Sequence, residues 1–304
     1  MCVLFGHTFP YLNYVGYSIW LAAQVPLFIL IQTFHSYKKD TPKINIAKIL
    51  SRVVLPFLIC EIVVFSIALC TGGGGDFESL LYQGFKSGGY GPGSYYPWIY
   101  FQMAILLPLI YPILKKIPEN ALLWVFLLIC ESCEIICSIV NFPDWLYRLL
   151  TIRYLFLIYF ALLWIKKGVV LNWKMLVLSL LSLATIVYFR YYSVNDEPWF
   201  YNTVWKTHRW PCYYFVANLY VYLLYLLWTA INKYSFVSKL VKRIAASTYE
   251  IFLAQMSILH LLHADNLSIV SNKLVQFVIW FVVIWIISIG LGIKINELRL
   301  KKTR

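Results

Sequence analysis

His7 has the most direct chemical use in this sequence. A neutral imidazole can take a proton from an alcohol, so His7 could act as a general base. By spacing alone, a packing or interfacial histidine is the plainer role. Glu61, Glu131, Glu134, Arg153 and Glu250 fall inside apolar runs. An ionisable group there must pair or line a wet cavity. Both signs of charge occur, so a polar substrate tunnel and structural ion pairs between helices both stay open. Arg148, Arg190, His208 and Arg209 could meet an anionic acceptor such as a sugar acid or lipid phosphate, or ordinary headgroups. His35 fits a snorkelling position at the end of a run. His260 and His263 lie one turn apart, but two ligands fall short of a metal site, and interfacial polar residues are expected. Cys130, Cys133 and Cys137 share a helix face with no fourth ligand evident nearby, so core packing is expected. No disulfide framework is indicated.

The elements that must carry these residues follow from composition. The chain of 304 residues is 61% hydrophobic and only 13% charged, which leaves a soluble domain no polar surface. Mean hydropathy is +0.72, and apolar runs recur at bilayer length. The net charge of +13 sits in short clusters between runs, with no basic face alternating with stacking aromatics. That pattern excludes a nucleic-acid surface and matches the excess of Lys and Arg on the cytoplasmic side of membrane proteins.

The expected fold is an all-α integral membrane bundle of about ten transmembrane helices, forming a single domain over residues 1–304. Met1 to about Pro10 is too short to cross, so the first helix reads as truncated. Further spans are expected at about Gly16–Ser36, Ala47–Cys70, Trp98–Leu114, Ala121–Val140 and Leu149–Ile165. The remainder are expected at about Met175–Tyr191, Trp210–Ile231, Ile244–His263 and Leu274–Ile293, followed by a basic tail. No cleavable signal peptide is visible.

Basic clusters fall at every second connection. They are Lys38 to Lys48, Lys115-Lys116, Lys166 to Lys174, Lys233 to Arg243 and Lys294 to Arg304. That side is expected to be cytoplasmic, with the C-terminus. The loops Thr71–Pro97, Asn141–Tyr147, Tyr192–Arg209 and Ala264–Asn272 are then external. The first of these holds Gly72-Gly73-Gly74-Gly75 and Gly88-Gly89-Tyr90-Gly91-Pro92-Gly93, and a flexible loop is expected rather than a phosphate cradle.

Five segments, in order, resemble the membrane-bound acyltransferase family 3, the O-acetyltransferase-like group. They are Phe5-Gly6-His7, Gln24 to Leu30, Arg52-Val53-Val54-Leu55-Pro56, Tyr95 to Gln102, and Ser247 to Leu253. The similarity covers nearly the whole chain. It implies ten helices carrying an acyl group, usually acetyl from cytoplasmic acyl-CoA, to a carbohydrate hydroxyl. It implies that His7 is the catalytic histidine and that Arg52, with Lys48 nearby, faces the acyl-CoA phosphates. Gln24, Trp98, Gln102, Arg153 and Glu250 are then expected to line the substrate site. An arginine that the family carries upstream of the histidine would precede Met1, which with the short first helix implies either a misassigned start or a truncated gene. Gln255 stands where the family often has a second histidine.

The resemblance implies an enzyme with no tightly bound cofactor and no metal. Acyl-CoA is the donor, a carbohydrate or glycolipid the acceptor, membrane lipid the surroundings, and nucleic acid is not a partner. The location implied is a bacterial inner membrane. A transporter or flippase for a glycan or lipid is the alternative, since many spans with embedded charges suit it too. No internal repeat supports it. A glycan polymerase or ligase is a third class, disfavoured by the short external loops.

Overall fold

The computed structural model describes residues 25–38, 42–71, 76–91, 93–168, 172–191, 213–261 and 273–302. Every regular element among them is helical. In chain order they are α1 (Val25–Tyr37), α2 (Ile46–Thr71), α3 (Phe77–Ser87), α4 (Tyr96–Leu114), α5 (Glu119–Ile139) and α6 (Asp144–Arg148). A 3₁₀ turn at Thr151–Tyr154 follows. Then come α7 (Phe156–Lys167), α8 (Trp173–Tyr191), α9 (Tyr213–Ile231), α10 (Ser235–Ala246), α11 (Thr248–Leu261) and α12 (Lys273–Lys302).

Three of these helices, α2, α4 and α5, are long and apolar enough to cross a membrane, at 26, 19 and 21 residues. At about 1.5 Å per residue each covers a hydrocarbon core of about 30 Å. Their outward sides are apolar too: Ile62 is 64% exposed and Leu128 68% exposed. Aliphatic side chains so open suit lipid, not water.

The described residues form two compact units. One contains Ala47–Pro97 and Leu227 to the C-terminus; the other contains the stretch up to Ile46 and Trp98–Leu226.

In the first unit, α2 buries Val53, Phe57, Glu61, Val64 and Ala68, a stripe at helical spacing. Pro56 has no N–H, so it cannot donate to the carbonyl of Arg52 one turn back. The helix widens there into a π segment over Leu50–Val54, closed by the Leu55 amide donating to the Leu50 carbonyl. Helix α12 buries Ile284, Ser288, Gly292 and Asn296, every fourth residue, against α11. A Cβ on Gly292 would stand 2.5 Å from the Ile251 amide nitrogen, so glycine sets the closeness of this contact.

In the second unit, α7 is the core. Phe156, Leu157, Ile158, Phe160 and Ala161 are fully enclosed, and α7 packs along α1. Trp164 Nε1 donates to Asn218 Oδ1 on α9 at 2.7 Å, and the Phe34 ring meets the Trp164 ring edge-on at 6.2 Å. The Ser179 hydroxyl on α8 donates to the Phe215 carbonyl on α9 at 2.9 Å.

Several expected boundaries shift. The span expected from Leu149 to Ile165 is a helix only from Phe156 onward. Its first residues form the 3₁₀ turn, because the Gln102 side chain on α4 pins the main chain at both Leu149 and Thr151. At 12 residues α7 is too short to cross alone. The span expected from Ile244 to His263 is broken at Ser247 into α10 and α11. The basic tail after Ile293 continues α12 as helix to Lys302. The glycine-rich stretch was expected to be a flexible loop. Its described part instead holds α3, capped by the Asp76 side chain accepting from the Ser79 amide at 3.1 Å, and then a buried turn, while residues 72–75 lie outside the described residues.

Candidate functional site

The polar centre of the first unit lies where that buried turn meets α2 and α11. Glu61 sits on the inward stripe of α2 and is only 9% exposed. Its Oε2 accepts the Tyr90 backbone N–H at 2.5 Å. Its Oε1 is buried and makes no hydrogen bond among the described residues. Gly89, at φ +136°, lies against the carboxylate, and a Cβ there would be 2.8 Å from it. Only glycine lets the main chain approach this closely in that conformation. Among the described residues, a main-chain amide and no cation holds this carboxylate.

Tyr90 fixes the turn from its other end. Its hydroxyl donates to the Leu80 carbonyl at 2.7 Å, closing α3 over α2. Burial first, and the Glu61 carboxylate second, push the Tyr90 phenol above its ordinary value, so it stays a donor. The Tyr90 ring also packs 5.3 Å from that of His260 on α11. Close by, Cys60 Sγ and Ser257 Oγ lie 2.8 Å apart. Further along the turn, Gly91 and Gly93 sit against Met256 and Phe252 of α11 with positive φ.

A second polar group joins α10, α11 and α12. Glu250 is 4% exposed and pairs with Arg299 at 2.5 Å. Arg299 also donates to Asn296, whose amide donates to Ser247 Oγ at 3.1 Å. Arg243 pairs with Glu297.

The residues expected to form a site are distributed as follows. His7 and Gln24 lie outside the described residues, as do His208, Arg209 and His263. Arg153 lies in the 3₁₀ turn and Arg190 near the end of α8, and their side chains are likewise outside the description. Lys48 and Arg52 are both exposed at the start of α2, one turn apart. Glu250 is in the same unit but buried in its ion pair. Trp98 and Gln102 are in the other unit, one turn apart on α4. Both ends of the Gln102 amide are committed to main chain: Nε2 donates to Leu149 O at 2.6 Å and Oε1 accepts from Thr151 N at 3.1 Å. Gln102 is therefore a structural clamp here. Cys130 and Cys137 are buried on α5, with Cys133 half-buried.

Three segments that carry the family resemblance meet in the first unit. The Tyr249 hydroxyl donates to the Val53 carbonyl at 2.7 Å, across 196 residues of sequence. The Tyr96 ring packs edge-on against Phe252 at 5.6 Å. Arg52–Pro56, the start of Tyr95–Gln102, and Ser247–Leu253 are thus neighbours in space.

Residue reading alone missed the seat of Glu61. The signal was present: glycines at 88, 89, 91 and 93 mark close main-chain approach as well as freedom. Fold and composition together define a helical membrane protein. Compared with protein-family models, curated proteins and solved structures, the chain matches none.

Proposed function

We propose that this chain is a membrane acyltransferase that moves an acyl group, acetyl by the family pattern, from acyl-CoA to a hydroxyl of a cell-surface carbohydrate or glycolipid. The observation that carries the reading is the meeting of three resemblance segments, two joined by the Tyr249 to Val53 hydrogen bond and the third by the contact of Tyr96 with Phe252. His7 takes the proton of the acceptor hydroxyl. The alkoxide oxygen attacks the thioester carbonyl, the new C–O bond forms, the C–S bond breaks, and the proton leaves with the coenzyme A thiol. Arg52 and Lys48 hold the phosphates of the donor. Their exposure at the start of α2, at a π segment of the kind common at functional sites, suits that role. The proposed setting is a bacterial inner membrane, crossed about ten times, with the C-terminus cytoplasmic.

The test is transfer of radiolabel from acetyl-CoA to host membrane glycans by the purified protein in detergent, with and without an upstream extension of the reading frame. His7→Ala is expected to lower transfer by about 10²–10⁴-fold. Arg52→Ala is expected to raise KM for acetyl-CoA. Undiminished transfer by His7→Ala overturns the assignment.

Glu61 favours a second reading. An intramembrane carboxylate held only by a main-chain amide among the described residues can take and release a proton. That chemistry suits a transporter or flippase for a glycan or lipid. Uptake into proteoliposomes that responds to a proton gradient and is lost in Glu61→Gln, without label transfer in the first assay, would establish it instead.

A further inference from the structure

Helix α10 is 12 residues long, with the sequence Ser-Phe-Val-Ser-Lys-Leu-Val-Lys-Arg-Ile-Ala-Ala. It is about 18 Å in length and carries three cations and no acid, so it does not cross a bilayer. It nonetheless exposes apolar surface. Phe236 is 78% exposed and Leu240 45% exposed, four residues apart on one face. Tyr234, just before the helix, is 68% exposed. Val237, Val241 and Ile244 are half-buried and Ser238 is buried, so another side of α10 rests on the protein. Lys239 and Lys242 are exposed; Lys239 borders Phe236 three residues back, and Lys242 lies further round the helix. Arg243 is spent on Glu297, which tethers α10 to α12. Turns bound the helix on both sides, at Asn232–Tyr234 and at Ser247.

A helix with one face on the protein, an open aromatic and aliphatic edge, and lysines on the remaining edge has the form of a membrane-surface helix. We propose that α10 docks on an anionic lipid leaflet, with Phe236 and Leu240 sunk among the acyl chains and Lys239 and Lys242 on lipid phosphates. Charge complementarity selects this occupant over a neutral leaflet: Lys233 adds a further cation at the entry, and no carboxylate lies in α10 to oppose them. The neighbouring helices supply continuity: α9, which precedes α10, carries a shorter apolar stretch over Phe215–Ile231, and α12, tied to α10 through Arg243 and Glu297, is apolar over much of its length. This surface is independent of the acyltransferase reading.

The test is hydrogen exchange of residues 235–246 in the full chain. The chain is reconstituted in nanodiscs of phosphatidylcholine, or of phosphatidylcholine with an equal part of phosphatidylglycerol. Exchange is expected to be roughly thirtyfold slower with phosphatidylglycerol, which corresponds to about 1 kcal/mol for each of Lys239 and Lys242. High salt is expected to erase the difference, and so is Lys239→Glu with Lys242→Glu. Phe236→Ser with Leu240→Ser is expected to speed exchange in both discs. Exchange at 284–296, the buried stripe of α12, reports whether each variant is folded. If a variant is not, the wild-type comparison between the two discs decides. Equal exchange in both discs overturns the proposal, as does a phosphatidylglycerol effect that survives charge reversal. Equal protection by coenzyme A in neutral discs also overturns it, since the anion is then a nucleotide.

Discussion

The backbone N–H of Tyr90 donates to Oε2 of Glu61 at 2.5 Å, so a carboxylate inside an apolar helix is held by a glycine-rich turn. The turn and the carboxylate depend on each other. Without the amide, the carboxylate loses its hydrogen bond among the described residues. Without Gly89, the amide cannot come so close.

Gly89→Ala is therefore expected to destabilise the protein by about 1–3 kcal/mol, through a Cβ on the carboxylate and an unfavourable φ. Glu61→Gln keeps an acceptor for Tyr90 and is expected to cost less than Glu61→Leu, which orphans the amide at about 1–3 kcal/mol. Thermal unfolding in detergent ranks the three. Equal melting of Glu61→Gln and Glu61→Leu would show that the hydrogen bond contributes nothing.

The two glycines of α12 give a paired test. Gly292→Ala forces a Cβ into the Ile251 backbone and is expected to cost about 1–3 kcal/mol. Gly290→Ala meets nothing within 4 Å and is expected to be neutral or to stabilise by up to about 1 kcal/mol. Unfolding midpoints compared side by side check both, and the reverse order would refute the close packing of α11 and α12.

Removing Arg299 leaves Glu250 buried without that partner. Arg299→Leu is expected to lower stability by roughly 1–3 kcal/mol, less than for a fully enclosed pair because Arg299 is 36% exposed. Adding Glu250→Gln is expected to recover part of the loss. A double-mutant cycle on unfolding free energy measures the coupling, and additive effects would exclude it.

The Asp76 cap predicts a pH effect on α3. The Ser79 hydroxyl, and then its amide, hold the Asp76 carboxyl below its ordinary value. A depressed folded-state pKa contributes stability above the unfolded value, lost as pH falls through the folded one. Exchange across residues 77–87 is expected to quicken selectively on acidification below about pH 4. Asp76→Ala is expected to make it fast at all pH. No difference between that variant and wild type at neutral pH would dismiss the cap.

Tyr249→Phe tests the join between two resemblance segments. It is expected to cost about 1 kcal/mol from the lost bond to Val53. On the acyltransferase reading it also raises KM for acetyl-CoA with little change in kcat, because Arg52 sits in the loosened turn. A fall in kcat alone would separate this hydrogen bond from donor binding.

By itself the sequence determined the class of molecule and much of its helix placement. Runs of about twenty apolar residues can satisfy their main-chain groups in a bilayer only as helices, and α2, α4 and α5 fall within a few residues of their expected bounds. Which face of each helix turns inward was not legible. These helices are apolar all round, so no amphipathic period marks the stripe from Val53 to Ala68; the lone Glu61 on it was the one local hint. The tertiary structure alone decided three further features. The Gln102 side chain shortens α7 by binding main chain 47 and 49 residues away. Gly292 fits α12 to α11. The glycine turn folds back onto Glu61, 29 residues behind Tyr90 in the chain. Each rests on a contact between distant segments, which no local pattern of residues encodes.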